Sequence, residues 1–183
     1  MNIVTIGRGN IGNGLATLWT AAGHNVTMLG RDGGDASNAD VLLVAVPGTA
    51  IADALGKVDG LTGKIAIDAT NIYAERTGRF TSLSEEIQSL THGPVAKSFN
   101  LNYASLLDQV AAQRVRPSSL YAADDTARAA TEALITDAGY DPVFVGGIDR
   151  ARALEDLGWL PAPRRATPPS STGSRAQATS RPR

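Results

Sequence analysis

The sequence predicts an α/β protein built on a doubly wound, mainly parallel sheet. Three observations carry that prediction. Short apolar runs alternate with helical patterns along most of the chain. The first run leads at once into a G-x-G-x-x-G turn, and the run Val41–Val46 is apolar without alternation, as in a strand covered on both faces.

The opening stretch organises the rest. Residues Asn2 to Ile6 read as a strand, Gly7-Arg8-Gly9-Asn10-Ile11-Gly12 as the turn, and the residues up to Gly23 as a helix. Ile11, Leu15, Leu18, Trp19 and Ala22 fall on one helical face, as a helix packed on a sheet requires. Gly23 stops the helix, and Asn25 to Leu29 form the next strand, which ends in Gly30 and Arg31. Together they make a βαβ unit of Rossmann type, with a separate task for each glycine. Gly7 permits the tight turn, Gly9 lets a pyrophosphate approach the backbone, and Gly12 lets the helix pack closely on the sheet. The helix start then offers unpaired N–H groups and a positive dipole end to phosphate.

Further along, Asp40–Val46 is the third strand, ended by Pro47-Gly48, with Thr49 placed to cap a short helix through Leu55. About ten residues separate Arg31 from that strand, short for a helical crossover of a dozen or more. A loop or single turn is expected there instead. Lys64–Asp68 is a strand, and Ser84–Leu90 a helix capped by Ser82 or Ser84 with Glu85 and Glu86 in its first turn. Pro94–Phe99, Ser119–Ala122 and Pro142–Val145 complete the strands; Tyr103–Ala112, Asp124–Ala138 and Ile148–Leu157 complete the helices.

Composition bounds the function. The 183 residues suit a single domain, residues 1–160, with an ordinary soluble composition of 43% hydrophobic and 19% charged residues. Residues 161–183 are almost wholly Pro, Ser, Thr, Ala, Gly, Gln and Arg, a tail expected to be disordered. Removing its five arginines from 17 basic residues leaves 12 against 18 acidic ones, a formal charge of −6 for the body. An acidic body argues against nucleic acid as a partner, and no apolar run reaches the roughly 20 residues that span a bilayer. The absence of cysteine excludes disulfides and thiolate chemistry, and two histidines, His24 and His92, do not make a metal cluster. A cytoplasmic protein with a small-molecule ligand is expected.

The end of the second strand distinguishes cofactors. Arg31 offers a bidentate fork to the 2′-phosphate of NADP(H), and Arg8 a second positive charge near the adenosine phosphates. The alternative sets Asp32 or Asp35 on an NAD ribose. Val46-Pro47, Asp68–Asn71 and Phe99-Asn100 occupy other carboxyl strand ends and are the candidate lining for ribose and nicotinamide. Asn71 and Asn100 supply amide groups suited to a carboxamide or hydroxyl, or else cap turns. No nucleophile elbow or Ser/His/Asp set is present, and no catalytic acid or base is assigned. Lys97, Tyr73 and Tyr103 would be the proton donors if a small carbonyl were reduced, but hydride transfer between two bound cofactors needs only proximity and orientation.

The stretches Ile6–Gly12, Ala22–His24, Gly30-Arg31, Leu43–Pro47, Ile67–Asn71, Val95–Asn100, Ala122–Asp125 and Gly139–Val143 resemble the F420-dependent NADP oxidoreductase family over most of residues 1–157. The resemblance implies a Rossmann sheet with a small deazaflavin-side portion, here about residues 94–160, and direct hydride transfer between NADPH and coenzyme F420. It implies phosphate binding by Gly7, Arg8, Gly9, Asn10 and Ile11, and 2′-phosphate binding by Gly30 and Arg31. Val46 and Pro47 would approach the ribose and nicotinamide, and Phe99 and Asn100 would lie where the two rings meet. Homodimers are frequent in the family. The competing expectation is a non-catalytic dinucleotide-binding module that senses redox state.

Overall fold

The alternation of buried strands and amphipathic helices is realised in the computed structural model, which describes residues 1–73 and 78–158. In chain order the regular elements are β1 (Asn2–Ile6), α1 (Asn10–Ala21), β2 (Asn25–Leu29), β3 (Gly34–Asp35), β4 (Val41–Val44), α2 (Ile51–Leu55) and β5 (Val58–Asp59). They continue with β6 (Ile65–Asp68), α3 (Leu83–Thr91), β7 (Val95–Ser98), β8 (Ser118–Ala123), α4 (Asp125–Asp137), β9 (Asp141–Phe144) and α5 (Ala151–Gly158). Seven strands form one sheet in the order β2-β1-β4-β6-β7-β8-β9, and β3 pairs with β5 in a separate small ribbon. Every pairing in the large sheet is parallel except β7 with β8. The expected doubly wound α/β sheet is therefore the observed one.

Alternation within the strands builds a core on each face. Ile3, Val41, Leu43 and Ile67 point to one side, where they meet Leu15 and Trp19 of α1 and Leu134 of α4. Val4, Ile6, Leu42, Val44 and Ala66 point to the other, against Ile51 and Leu55 of α2 and Ile87 of α3. All four residues of β4 are buried, which explains its unbroken apolar run. Trp19 is wholly buried and donates its indole N–H to the Leu134 carbonyl at 2.8 Å, tying α1 to α4. Among the described residues, no helix is long and apolar enough to cross a membrane.

Three local details go beyond or against the expectations. The expected helix Tyr103–Ala112 is present as Ala104–Ala112, and it is of 3₁₀ type. Its buried residues, Leu107 and Val110, are three apart, the spacing that a three-residue turn stacks on one face. Gly14 of α1 makes the close approach possible, because a Cβ there would collide with the Leu107 side chain. Thr49 caps nothing: a 3₁₀ turn at Gly48–Ala50 runs into α2, and the Gly48 N–H is taken by the Asn71 carbonyl at 3.1 Å. The connection after Arg31 contains no helix, as expected, but it carries β3, whose pairing with β5 the sequence does not announce. The expected disordered tail lies outside the described residues.

Candidate functional site

Strand order reverses at β1, which has β2 on one side and β4 on the other. Ligands of open α/β sheets bind at the carboxyl ends of the strands beside such a switch point. The glycine turn stands there. Gly7 has φ 111°, and a side chain on it would strike the Ala45 carbonyl; a side chain on Gly12 would strike the Gly7 carbonyl. Gly9 differs: a Cβ there would meet no heavy atom within 4 Å. The protein's own packing thus requires glycine at 7 and 12, while position 9 faces open space where a ligand can reach the backbone. Gly9 is also the N-cap residue of α1, and no side chain caps that helix.

A cavity of about 700 Å³ opens in front of this turn. Gly7, Arg8 and Gly9 line it with Gly30, Arg31 and Asp32 from the end of β2, and with Val46 and Pro47 from the end of β4. Arg8 donates through Nε and Nη2 to the Met28 carbonyl, at 3.2 and 2.7 Å, so its guanidinium is held beside Gly30. Arg31 is exposed on the cavity rim. The fourth side belongs to α2 and its flanks, where Ala50, Asp53, Ala54 and Lys57 face inward at helical spacing. Sequence reasoning missed this wall. Its signal in the sequence is small residues and an Asp/Lys pair four apart, in and just after the short helix that follows Pro47, a pattern that usually marks a solvated face.

A second cavity of about 280 Å³ lies on the other side of the turn. Ile11, Asn71, Phe99 and Asn100 line it, with Tyr73, Asn102, Tyr103 and the end of α5. Asn71 donates to the Asn100 carbonyl at 2.7 Å and to the Tyr73 hydroxyl at 3.2 Å. The Asn100 amide donates to Asn71 Oδ1 at 3.1 Å and to the Leu154 carbonyl at 2.9 Å, and its buried Oδ1 has no hydrogen-bond partner among the described residues. Phe99, at φ 62°, sends its ring into the core, edge-on to Trp19 and Tyr140. Two of the expected residues line neither cavity: Asn10 is exposed at the first turn of α1, and Gly12 is buried beneath the turn.

Lys97, the first of the conceivable proton donors, is withdrawn from both cavities. Its side chain is wholly buried, with Nζ 2.9 Å from Asp68 Oδ2, 2.6 Å from the Thr70 carbonyl and 3.4 Å from Glu155 Oε1. Asp68 also accepts from the Thr70 amide and hydroxyl and from Ser84, and Glu155 accepts from the Leu83 amide. Burial, and then the nearby Asp68 charge, pushes the Glu86 carboxyl up from its ordinary range. This is a satisfied structural ion cluster. Tyr73 and Tyr103 do line the second cavity, and both are largely exposed.

No family model matches the chain, and no curated protein matches it. Solved structures do. A proposed F420-dependent NADP reductase from Arthrobacter sp. FB24 superimposes with a TM-score of 0.70 at 24% identity, over 85% of this chain and 89% of that one. A hypothetical protein from Sinorhizobium meliloti gives a TM-score of 0.65 at 23% identity, over 82% and 86%. A reductive aminase from Aspergillus terreus, solved with NADPH, gives 0.62 at 14% identity, over 85% of this chain and 59% of the longer enzyme. At these identities the likeness is one of fold. The class it defines, with the sheet order and glycine turn, is a Rossmann-type α/β domain.

Proposed function

We propose that the chain is an NADP(H)-dependent oxidoreductase that passes a hydride between the nicotinamide and coenzyme F420 or a related acceptor. The observation that carries the reading is the continuous cavity from the open backbone at Gly9 to Arg31 at the end of β2. A pyrophosphate suits the uncapped start of α1, and a 2′-phosphate suits a guanidinium at the end of the second strand. The proteins of similar fold include a proposed F420-dependent NADP reductase and an NADPH-bound reductive aminase, which supports the same cofactor.

In this reading Gly7, Gly9, Asn10 and Ile11 present backbone N–H groups to the phosphates, and Gly12 keeps α1 close enough to do so. Arg31, with the backbone of Gly30, receives the 2′-phosphate, and Val46 and Pro47 guide the chain of the cofactor toward Ile11. The second cavity receives the hydride partner. The Asn100 Oδ1, without a partner among the described residues, and the Asn71 amide supply a hydrogen-bonding edge there for a carboxamide or a flat ring. NADPH, when bound, would supply the hydride to the acceptor's ring carbon, with the balancing proton taken up from solvent at a ring nitrogen; the protein's own contribution is orientation, since no acid or base is required at the reacting carbons. Seclusion of Lys97 in its ion cluster agrees with that division of labour.

Steady-state oxidation of NADPH by oxidised F420 tests the reading. We expect turnover with NADPH, and in Arg31→Ala a KM for NADPH raised by about tenfold or more with little change in kcat, the pattern of a lost binding contact. Turnover with NADH but none with NADPH would contradict the cofactor. Tight NADPH binding without turnover would favour a redox-sensing module instead.

A further inference from the structure

We infer that Lys57, which precedes β5, is a second reader of the cofactor's 2′-phosphate, held in the cavity that Arg31 lines by the short connection between β2 and β4. The inference rests on the NADP(H) reading above. Its evidence is the way two distant segments are fastened together. After Arg31 the chain turns through Gly33, at φ 74°, and presses so close to Lys57 that a side chain at 33 would collide with the Lys57 carbonyl. The Gly34 amide donates to that carbonyl at 3.1 Å, and the Ala36 amide donates to the Asp59 carbonyl at 2.8 Å. Gly34 and Asp35 then pair with Val58 and Asp59 as β3 and β5. The residues of α2 and the turn that follows it thus wall the cavity, and Lys57 lines the same chamber as Arg8 and Arg31.

The charges fit a dianionic ligand. A phosphate monoester carries nearly two negative charges, and Arg8 already has two of its nitrogens engaged on the Met28 carbonyl. The Lys57 ammonium is 2.8 Å from Asp53 Oδ2, but both side chains are well exposed, at 45% and 73%. Exposed pairs of this kind hold weakly, so the ammonium can exchange its carboxylate for a phosphate at little cost. Asp53 has a second consequence. Facing the same chamber, it repels an approaching phosphate and sets how strongly Lys57 favours NADP over NAD.

The test is calorimetric titration of the full chain with 2′-phospho-ADP-ribose and with ADP-ribose, which differ only in the phosphate. Lys57→Ala should weaken the phosphorylated ligand about tenfold and ADP-ribose less than twofold, and it should flatten the salt dependence of the former. Lys57→Arg should restore affinity, and Asp53→Asn should tighten the phosphorylated ligand alone. Equal losses for both ligands, or no loss for either, would overturn the assignment while leaving the NADP(H) reading intact. A wild-type chain that binds neither ligand, or prefers ADP-ribose, would overturn both.

Discussion

Lys97 shows how much a single side chain's meaning depends on residues far away in the sequence. A lysine in the strand Val95-Ala96-Lys97-Ser98 reads equally well as a sheet-face residue or a proton donor, because nothing nearby says where its ammonium goes. The structure places it between Asp68 and Glu155, contributed by β6 and α5, with all three side chains at most 1% exposed. Breaking a buried ion cluster strands the remaining charges in a low dielectric. Lys97→Met should therefore destabilise the fold by about 3–5 kcal/mol in urea unfolding. A loss below about 1 kcal/mol, the level of an exposed pair, would contradict the structural role given to it. The glycines of the turn behave differently. Their tasks follow from local backbone geometry, which is why positions 7, 9 and 12 were legible without the structure and the wall formed by Asp53 and Lys57 was not.

At the scale of elements, local signals located most helices, and tertiary contacts decided their type. Of the two candidate caps, Ser82 and Ser84, it is Ser82 that caps α3, accepting from the Glu85 amide at 3.1 Å. Glu85 reaches back to the Thr81 amide and hydroxyl, at 2.7 and 2.5 Å. Those bonds, the hydroxyl's first, hold the Glu85 carboxyl below its ordinary value of 4.5. A lowered carboxyl stabilises the folded chain when ionised, and that contribution is lost as the pH falls through the lowered value. Glu85→Gln should flatten the decline of Tm below about pH 4.5, measured by circular dichroism across pH 2.5–7, relative to the unsubstituted chain. Parallel curves would show that the box around α3 does not bear on acid stability. The segment Ala104–Ala112 marks the limit of local signals. Its residues are acceptable in an α-helix, and the 3₁₀ form becomes apparent only when Leu107 is seen seated against Gly14.

Across the whole molecule, the sheet places the two cavities on either side of one glycine turn; the sequence pointed to the strand ends but grouped them as a single lining. Arg31, Val46, Asn71 and Asn100 all lie where parallel strands or their following loops emerge. Hidden from the sequence were the long-range ties that shape the cavity walls. Asn100 donates to Leu154, and Glu155 accepts from Leu83, so α5 is fixed both to the loop after β7 and to the start of α3. The β3–β5 ribbon fixes the far wall in the same manner. Such contacts join segments whose local patterns carry no record of one another.

The proposed hydride transfer across the Asn71–Asn100 cavity is tested by a single turnover of the full chain with oxidised F420 and NADPH deuterated at both C4 positions, followed by mass analysis of the reduced deazaflavin. One deuterium is expected in the reduced ring, with loss of deazaflavin absorbance in step with NADPH oxidation. Reduced deazaflavin carrying only solvent hydrogen, or NADPH that binds and is never oxidised, would contradict it.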